Sequence, residues 1–135
     1  MNGENEILGA CSGAQIVPPA PALIAGHTGS VSTRACFASQ HTGFHGHFPG
    51  NAVLPGFLHI ELVLDILRYY FKEVELVAVR SAKYILPILP DQIVEVNISI
   101  AVGGLITARL QVADAVVSVL DLTVSGMTED PAQKS

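Results

Sequence analysis

Residues 47–61 read HFPGNAVLPGFLHIE, a histidine-bearing loop that runs into an apolar segment. Pro49-Gly50 lies two residues after the histidine, and Pro55-Gly56 opens the apolar segment. Each of these pairs favours a tight turn. Glu61 lies fourteen residues after His47. The stretch therefore predicts a histidine and a carboxylate brought together by two backbone turns, which is the residue pair that acid–base chemistry requires.

The apolar segment predicts a helix from Pro55 to Lys72, because proline suits the first helical position, where its missing N–H costs nothing. Apolar residues cover most of its circumference, which indicates burial on several sides. Glu61, Asp65, Arg68 and Lys72 fall on one narrow stripe of the helix. Two interpretations of this stripe stay open: it presents Glu61 to an active site, or it is a solvated face.

The rest of the chain predicts β-structure. Residues 93–100 alternate between apolar and polar, as a half-buried strand does. Gly103-Gly104 predicts a two-residue hairpin loop, and the run after Asp114 is apolar on both faces and therefore central. The predicted strands are 31–38, 74–83, 93–100, 105–113 and 115–124, with a turn at 87–92. One long helix with an antiparallel meander indicates an α+β fold with the sheet wrapped on the helix.

Composition bounds the assembly and the partners. The 135 residues predict one domain at 16–126, between a flexible tail at 1–15 and a polar tail at 127–135. Charged residues make up only 14% of the chain, against about 25% in typical domains. We therefore expect another copy of the chain to cover part of the surface, in a symmetric homo-oligomer.

Several classes of function are excluded or disfavoured. The net charge is −5 with seven Lys and Arg, which argues against nucleic-acid binding. The uncharged run at 7–33 is too weakly apolar to span a membrane. Cys11 and Cys36 do not form a disulfide framework, so we expect a cytoplasmic protein in which Cys36 is a small buried residue.

The motif at 47–61 resembles the active-site signature of the hot-dog-fold 3-hydroxyacyl-[acyl-carrier-protein] dehydratases, H-F-P-G-x-P-x-x-P-G-x-L-x-x-E-x-x-x-Q. The chain keeps the histidine, both Pro-Gly pairs, the leucine and the glutamate. Pro87 to Gln92 is similar to the family's P-x-x-P-G-D-Q turn, and the resemblance covers roughly residues 44–125. Ala52 and Asp65 depart from the family's Pro and Gln, and the N-terminal P-H-R and L-x-D signature is missing.

The resemblance implies a hot-dog fold, a long central helix wrapped by an antiparallel sheet, which works without a cofactor or metal. It also implies a substrate linked through phosphopantetheine to acyl carrier protein, and a homodimer or trimer of dimers in which one site takes its two catalytic residues from different subunits. We expect Phe48, Pro55, Gly56 and Phe57 to contact this substrate.

The chemistry accounts for the residue types. Dehydration of a 3-hydroxyacyl thioester removes a proton from C2 and expels the C3 hydroxyl as water. His47 suits the base, because an imidazole titrates near neutral pH. Glu61 suits the acid if burial keeps it protonated. The backbone N–H groups at Gly56 suit the thioester carbonyl, and a glycine there allows its close approach.

Four alternatives remain at this point. A hot-dog thioesterase would also use a carboxylate on the helix, and a non-catalytic acyl-binding or partner subunit would keep the shape alone. His41, His45 and His47 with Glu61 could form a metal site, although no hairpin or helix fixes the three histidines. Arg80 and Lys83 suit either a carrier protein or an exposed strand face. His59 lies on the side of the helix away from Glu61, which predicts a packing role or a subunit contact instead of catalysis.

Overall fold

The computed structural model describes residues 13–17, 28–38 and 54–127. The elements are β1 (Gln15–Ile16), β2 (Gly29–Cys36), α1 (Gly56–Arg68), β3 (Glu75–Tyr84), β4 (Val94–Ala101), β5 (Leu105–Val112) and β6 (Ala115–Ser125). Every strand predicted from the sequence is present within a few residues of its expected bounds. The predicted tails lie almost entirely outside these residues, so the domain bounds stay a prediction.

The strands form one six-stranded antiparallel sheet in the order β1-β2-β4-β5-β6-β3. Strands β4, β5 and β6 are the predicted meander, with Ala101 paired to Leu105 and Val112 paired to Ala115. Strand β6 lies between β5 and β3, which confirms that the run apolar on both faces is an interior strand. After β2 the chain passes through helix α1 to β3, which lies at the edge of the sheet opposite β1.

One continuous core joins the helix to the inner face of the sheet. The alternating residues of β4 that were expected to be buried are 0–4% exposed. They pack with inward residues of β5 and β6 and with fully buried residues of α1, among them Leu62, Ile66 and Leu67. Because α1 is apolar around most of its circumference, it lies within the sheet's curve, as the sequence predicted.

The helix is shorter than predicted at both ends. Pro55 is its N-cap, with an extended backbone (φ −62°, ψ 149°), so Gly56 is the first helical residue. At the other end the Tyr69 N–H donates to the Ile66 carbonyl at 3.1 Å, the tighter bond with which many helices finish. The chain therefore leaves the helix after Arg68 rather than at Lys72.

The hairpin between β4 and β5 is one residue longer than predicted. Because Ala101 pairs with Leu105, its loop contains Val102 as well as the two glycines. Gly103 and Gly104 have φ of +88° and +76°, values that favour glycine. A Cβ on Gly104 would lie 2.1 Å from the Val124 carbonyl oxygen, so this glycine also lets the loop approach β6.

Candidate active site

The helix start presents unsatisfied backbone groups. Pro55 caps α1 without a side-chain hydrogen bond, and the Leu58 N–H turns back to the Pro55 carbonyl at 3.1 Å. Within the described part of the chain, the N–H groups of Gly56 and Phe57 have no acceptor. Two donors thus lie at the positive end of the helix dipole, where an anionic or carbonyl oxygen is stabilised.

The predicted turn at 87–92 lies beside this helix start. The Leu54 N–H donates to the carbonyl of Ile88, which is fully buried, at 3.0 Å. Three residues on, the Asp91 N–H donates to the Phe37 carbonyl at 2.8 Å. Asp91 has a φ of 66°, a conformation that aspartate tolerates better than most residues. The turn therefore ties the end of β2 to the start of α1.

These bonds fix the two ends of the segment that carries His47. Residues 39–53, which include His47, Phe48 and the histidines of the proposed metal cluster, lie outside the described residues. Their described flanks, Phe37 and Leu54, are both bonded to the segment 88–91. The described residues on either side of this segment are therefore both held by the turn at 88–91, which lies next to the N-terminus of α1.

Glu61 lies in the second turn of α1 and is partly exposed. Phe57, four residues earlier and therefore on the same face, is 63% exposed. The structure brings Glu61, Phe57, Gly56 and Pro55 together on one end of one helix. The catalytic and substrate-binding roles given to these residues stay predictions.

The polar stripe of the helix is not a solvated face. Asp65 is only 4% exposed, and its carboxylate lies 3.6 Å from the Arg68 guanidinium. The Arg68 Nε also donates to the Val74 carbonyl at 2.9 Å. The interpretation of a continuous solvated stripe is therefore wrong at Asp65, whose carboxylate is buried beside Arg68.

His59 has the packing role predicted for it. It is 2% exposed, and its Nδ1 lies 2.9 Å from the Ser118 hydroxyl on β6. Its ring meets the Tyr84 ring edge-on, with centroids 5.0 Å apart and planes at 87°. Burial lowers the pKa of the His59 imidazole from 6.5 to about 4, so this histidine is neutral at pH 7.

Tyr84 is the residue of this site that the sequence did not single out. Its hydroxyl donates to the Gly56 carbonyl at 3.1 Å. A Cβ on Gly56 would lie 2.8 Å from Tyr84 Cζ, so the ring occupies the space a side chain there would need. Gly56 is therefore required by packing, whereas the sequence explained it only by substrate approach. The available signal was an aromatic residue just before the 87–92 motif.

Strand β3 forms an exposed apolar edge of the sheet. Val77 is 62% exposed and Val79 43%, and Ile85 beyond the strand is 56% exposed. Irregular pairing with β6 places Val77 and Arg80 as extra residues in two bulges. Arg80 and Lys83 are both exposed. An apolar edge of this kind is typical of a surface that another chain covers.

Three smaller expectations are resolved only in part. Cys36 ends β2 as a free, half-buried thiol, so it is less buried than predicted. Burial, and then the nearby Asp91 carboxylate, raise the pKa of this thiol. Among the described residues no group of three His, Cys, Asp or Glu could hold a metal ion, and no helix is long and apolar enough to cross a membrane.

A separate polar depression of about 240 Å³ lies on the outer face of the sheet. Asn97, Ser99, Thr107, Arg109 and Gln111 line it. These residues alternate with the buried residues of β4 and β5, so they face away from α1. The depression is therefore not part of the candidate active site.

Comparison with known proteins identifies the family. A family profile described as ApeI-like, ApeI dehydratase, matches residues 24–118, more than two thirds of the sequence. The chain belongs to the ApeI-like dehydratase family. Its predicted membership of the hot-dog dehydratases is thereby confirmed, and the role of a dehydratase is favoured over that of a thioesterase.

Two curated relatives agree with this membership. The chain is 31% identical over 103 residues to the 3-hydroxyacyl-[acyl-carrier-protein] dehydratase FabZ of Lactobacillus helveticus, covering 67% of this chain and 68% of the relative. It is 29% identical over 99 residues to FabZ of Lactiplantibacillus plantarum, covering 64% of this chain and 67% of the relative.

Solved structures confirm the hot-dog fold. An uncharacterised protein from Erwinia carotovora subsp. atroseptica superposes with a TM-score of 0.72 at 16% identity, over 82% of this chain and 94% of that one. A chain of the dehydratase heterocomplex ApeI:P from Xenorhabdus doucetiae superposes with a TM-score of 0.66 at 18% identity, over 78% and 95% respectively. At these identities the likeness concerns the fold alone.

Proposed function

We propose that the protein dehydrates 3-hydroxyacyl thioesters, carried on the phosphopantetheine of acyl carrier protein in the cytoplasm, to trans-2-enoyl thioesters. One observation carries the proposal most: Glu61 lies one turn beyond two N–H donors that have no acceptor in the described part of the chain. The described flanks of the segment that carries His47, Phe37 and Leu54, are both bonded to the turn at 88–91. The two FabZ relatives are named for this reaction.

In the proposed mechanism His47 takes the proton from C2 as base, and Glu61 gives a proton to the C3 hydroxyl. The C3–O bond breaks, the double bond forms between C2 and C3, and water leaves. Charge that develops on the thioester oxygen is held by the N–H groups of Gly56 and Phe57, supported by the helix dipole. Phe48, Pro55 and the exposed Phe57 ring contact the pantetheine or the acyl chain.

The assay follows the enoyl absorbance of purified protein with a short trans-2-enoyl or 3-hydroxyacyl thioester. His47→Ala should lower turnover by about 10²-fold or more, the usual scale for loss of a general base. His45→Ala, in the same segment, is the matched control and should retain turnover. Near wild-type turnover in His47→Ala, with the fold intact by circular dichroism, would remove His47 from the mechanism.

We further propose that the site is shared between two copies of this chain. The support is the low charged content of the sequence and the exposed apolar edge at β3, with Val77 and Val79 at its surface. Pairing of two such edges would bury those side chains and bring the helices of two subunits side by side.

Mixing inactive chains tests this arrangement. His47→Ala and Glu61→Gln chains should each be inactive alone, but an exchanged mixed dimer holds one intact site and should regain part of the activity. A tagged and an untagged variant report the exchange directly. If mixed dimers form and activity stays absent, the shared-site arrangement is wrong.

A second candidate is a partner subunit without its own activity, which the buried Asp65 favours, since the family pattern has glutamine there. The ApeI:P neighbour is described as a heterocomplex. This candidate predicts no turnover by the purified wild-type chain at any thioester chain length.

A further inference from the structure

Tyr84 contacts the first turn of α1, and the proposed mechanism does not use it. We propose that Tyr84 is a positioning residue, whose hydroxyl and ring fix the two N–H donors of Gly56 and Phe57 toward the thioester carbonyl. The inference rests on the proposed function. It assigns to Tyr84 a role in orienting these donors, in addition to its packing.

The hydroxyl fixes one of the donors through its own peptide group. Tyr84 donates to the Gly56 carbonyl at 3.1 Å, and that carbonyl belongs to the same planar peptide as the Phe57 N–H. Restraining the oxygen of a planar peptide restrains the direction of its N–H. The contact therefore holds the Phe57 donor without touching the substrate.

The ring fixes the other donor through van der Waals contact. The position of a Cβ on Gly56 would lie 2.8 Å from Tyr84 Cζ and 3.1 Å from both Cε atoms. The ring thus lies directly against the Gly56 backbone, which no other residue type would allow. A helix start that rests on a flat ring has little freedom to tilt, so the Gly56 N–H keeps one direction.

Tyr84 is itself held in place by buried polar groups. Its ring packs edge-on against His59, and His59 is hydrogen-bonded to Ser118, which pairs with Tyr84 in the β3–β6 ladder. Ser118 and His59 are 0% and 2% exposed. The chain of contacts from Ser118 through His59 and Tyr84 to Gly56 connects the sheet to the helix start.

Packing alone does not require the hydroxyl. Tyr84 is 47% exposed, and phenylalanine would fill the same volume against Gly56 and His59. Among the described residues, the contact that distinguishes tyrosine from phenylalanine here is the bond to the Gly56 carbonyl. A role in orienting the adjacent donors explains why the polar residue stands at this position.

The hydroxyl is tested with Tyr84→Phe. We expect kcat to fall about fivefold to tenfold, the scale of one net hydrogen bond, while KM stays unchanged and the melting temperature falls by about a few degrees at most. The amide protons of Gly56 and Phe57 should also exchange faster with solvent, which is a readout that needs no substrate. Tyr69→Phe is the matched control, because Tyr69 is 46% exposed at the other end of the same helix.

The role of the ring is tested by adding a side chain at position 56 and then removing the ring. Gly56→Ala should lower both the melting temperature and kcat, because its Cβ meets the ring. Adding Tyr84→Ala should restore the melting temperature and leave kcat low, since the donors are no longer held. Full recovery of kcat in the double variant would overturn the inference and show that the ring only fills space.

The inference and the proposed function fail in different ways. If Tyr84→Phe keeps wild-type kcat and wild-type amide exchange while His47→Ala is inactive, the dehydratase proposal stands and the role of Tyr84 is wrong. If the wild-type chain has no dehydratase activity, the proposed function fails. The exchange of the Gly56 and Phe57 amides then still decides whether Tyr84 holds the helix start.

Discussion

The two ends of helix α1 differ in how completely their polar groups are satisfied. At the start, Pro55 provides no side-chain cap, and two N–H donors have no acceptor in the described part of the chain. At the end, Arg68 lies beside the Asp65 carboxylate and donates to the Val74 carbonyl. The start also exposes Phe57, whereas Leu67 at the end is fully buried.

Along this helix, the residues proposed to bind substrate lie at the start, and residues that stabilise the fold lie at the end. Unsatisfied donors and exposed apolar surface cost stability but are available to a ligand. The ion pair and buried leucines at the other end contribute to folding and leave nothing for a substrate to bind. The comparison predicts that substitutions at the start of the helix mainly lower activity. Substitutions at its end should mainly lower the free energy of unfolding.

The largest expected difference concerns two apolar side chains. Leu67→Ala should lower the free energy of unfolding by about 2–5 kcal/mol, because it leaves a cavity in the core, and should leave KM unchanged. Phe57→Ala should lower it by less than about 0.5 kcal/mol while raising KM for the thioester. Urea unfolding at fixed protein concentration and steady-state kinetics measure both quantities.

The proposed difference between the two ends of the helix is contradicted if Phe57→Ala lowers the free energy of unfolding as much as Leu67→Ala does. That result would place the Phe57 ring in a core or subunit contact instead of the substrate path. Sedimentation of the Phe57→Ala chain distinguishes these two contacts, since only a subunit contact changes the association state.

The next effect is a pH dependence that originates at His59. Its pKa is about 4 in the fold and 6.5 ordinarily, so the unfolded chain binds more protons between these values. Stability from this group is present above pH 6.5 and is lost as the pH falls toward 4, by about 3 kcal/mol in all. His59→Gln should therefore show a weaker fall in the free energy of unfolding than wild type over this range.

Both proteins share every other titratable group, so the difference between their two pH profiles isolates His59. Parallel profiles would mean that the pKa of His59 in the folded chain is the ordinary one, as for a solvated imidazole. Such a result would also weaken the contact through which His59 supports Tyr84.

The smallest effect is expected at the ion pair that closes the helix. Arg68→Met keeps the aliphatic part of the side chain and removes its charge and its bond to Val74. We expect a loss of about 1–2 kcal/mol, since the arginine is about a third exposed and only Asp65 is deeply buried. Turnover at saturating substrate should stay at the wild-type value. A variant that keeps its stability but loses turnover would place this pair in the active site.

The sequence predicted the parts of this protein that depend on local pattern. Alternation along β4 identified its buried face, and the Pro55-Gly56 pair predicted the helix start within one residue. These signals are carried by residues close together in the chain. The helix end was placed four residues too late, because the apolar pattern continues through Tyr69, Tyr70 and Phe71 although the helix ends at Arg68.

The contacts of Tyr84 could not be read from the sequence for the same reason. Tyr84 and Gly56 are 28 residues apart, and His59 and Ser118 are 59 apart. The antiparallel pairing of β3 with β6 brings Tyr84 beside Ser118, and the packing of α1 against these strands brings Gly56 and His59 to them. The predicted roles of His47 and Phe48 stay predictions, since both lie outside the described residues.

Glu61 and Asp65 offer the most direct measurement, because they are two carboxylates one turn apart on the same helix. Glu61→Gln should lower turnover by about 10²-fold or more and change the free energy of unfolding by less than about 1 kcal/mol. Asp65→Asn should lower the free energy of unfolding by about 1–2 kcal/mol and keep turnover within about threefold of wild type. If Asp65→Asn abolishes turnover while Glu61→Gln retains it, the assignment of catalysis to the helix start and stability to its end is wrong.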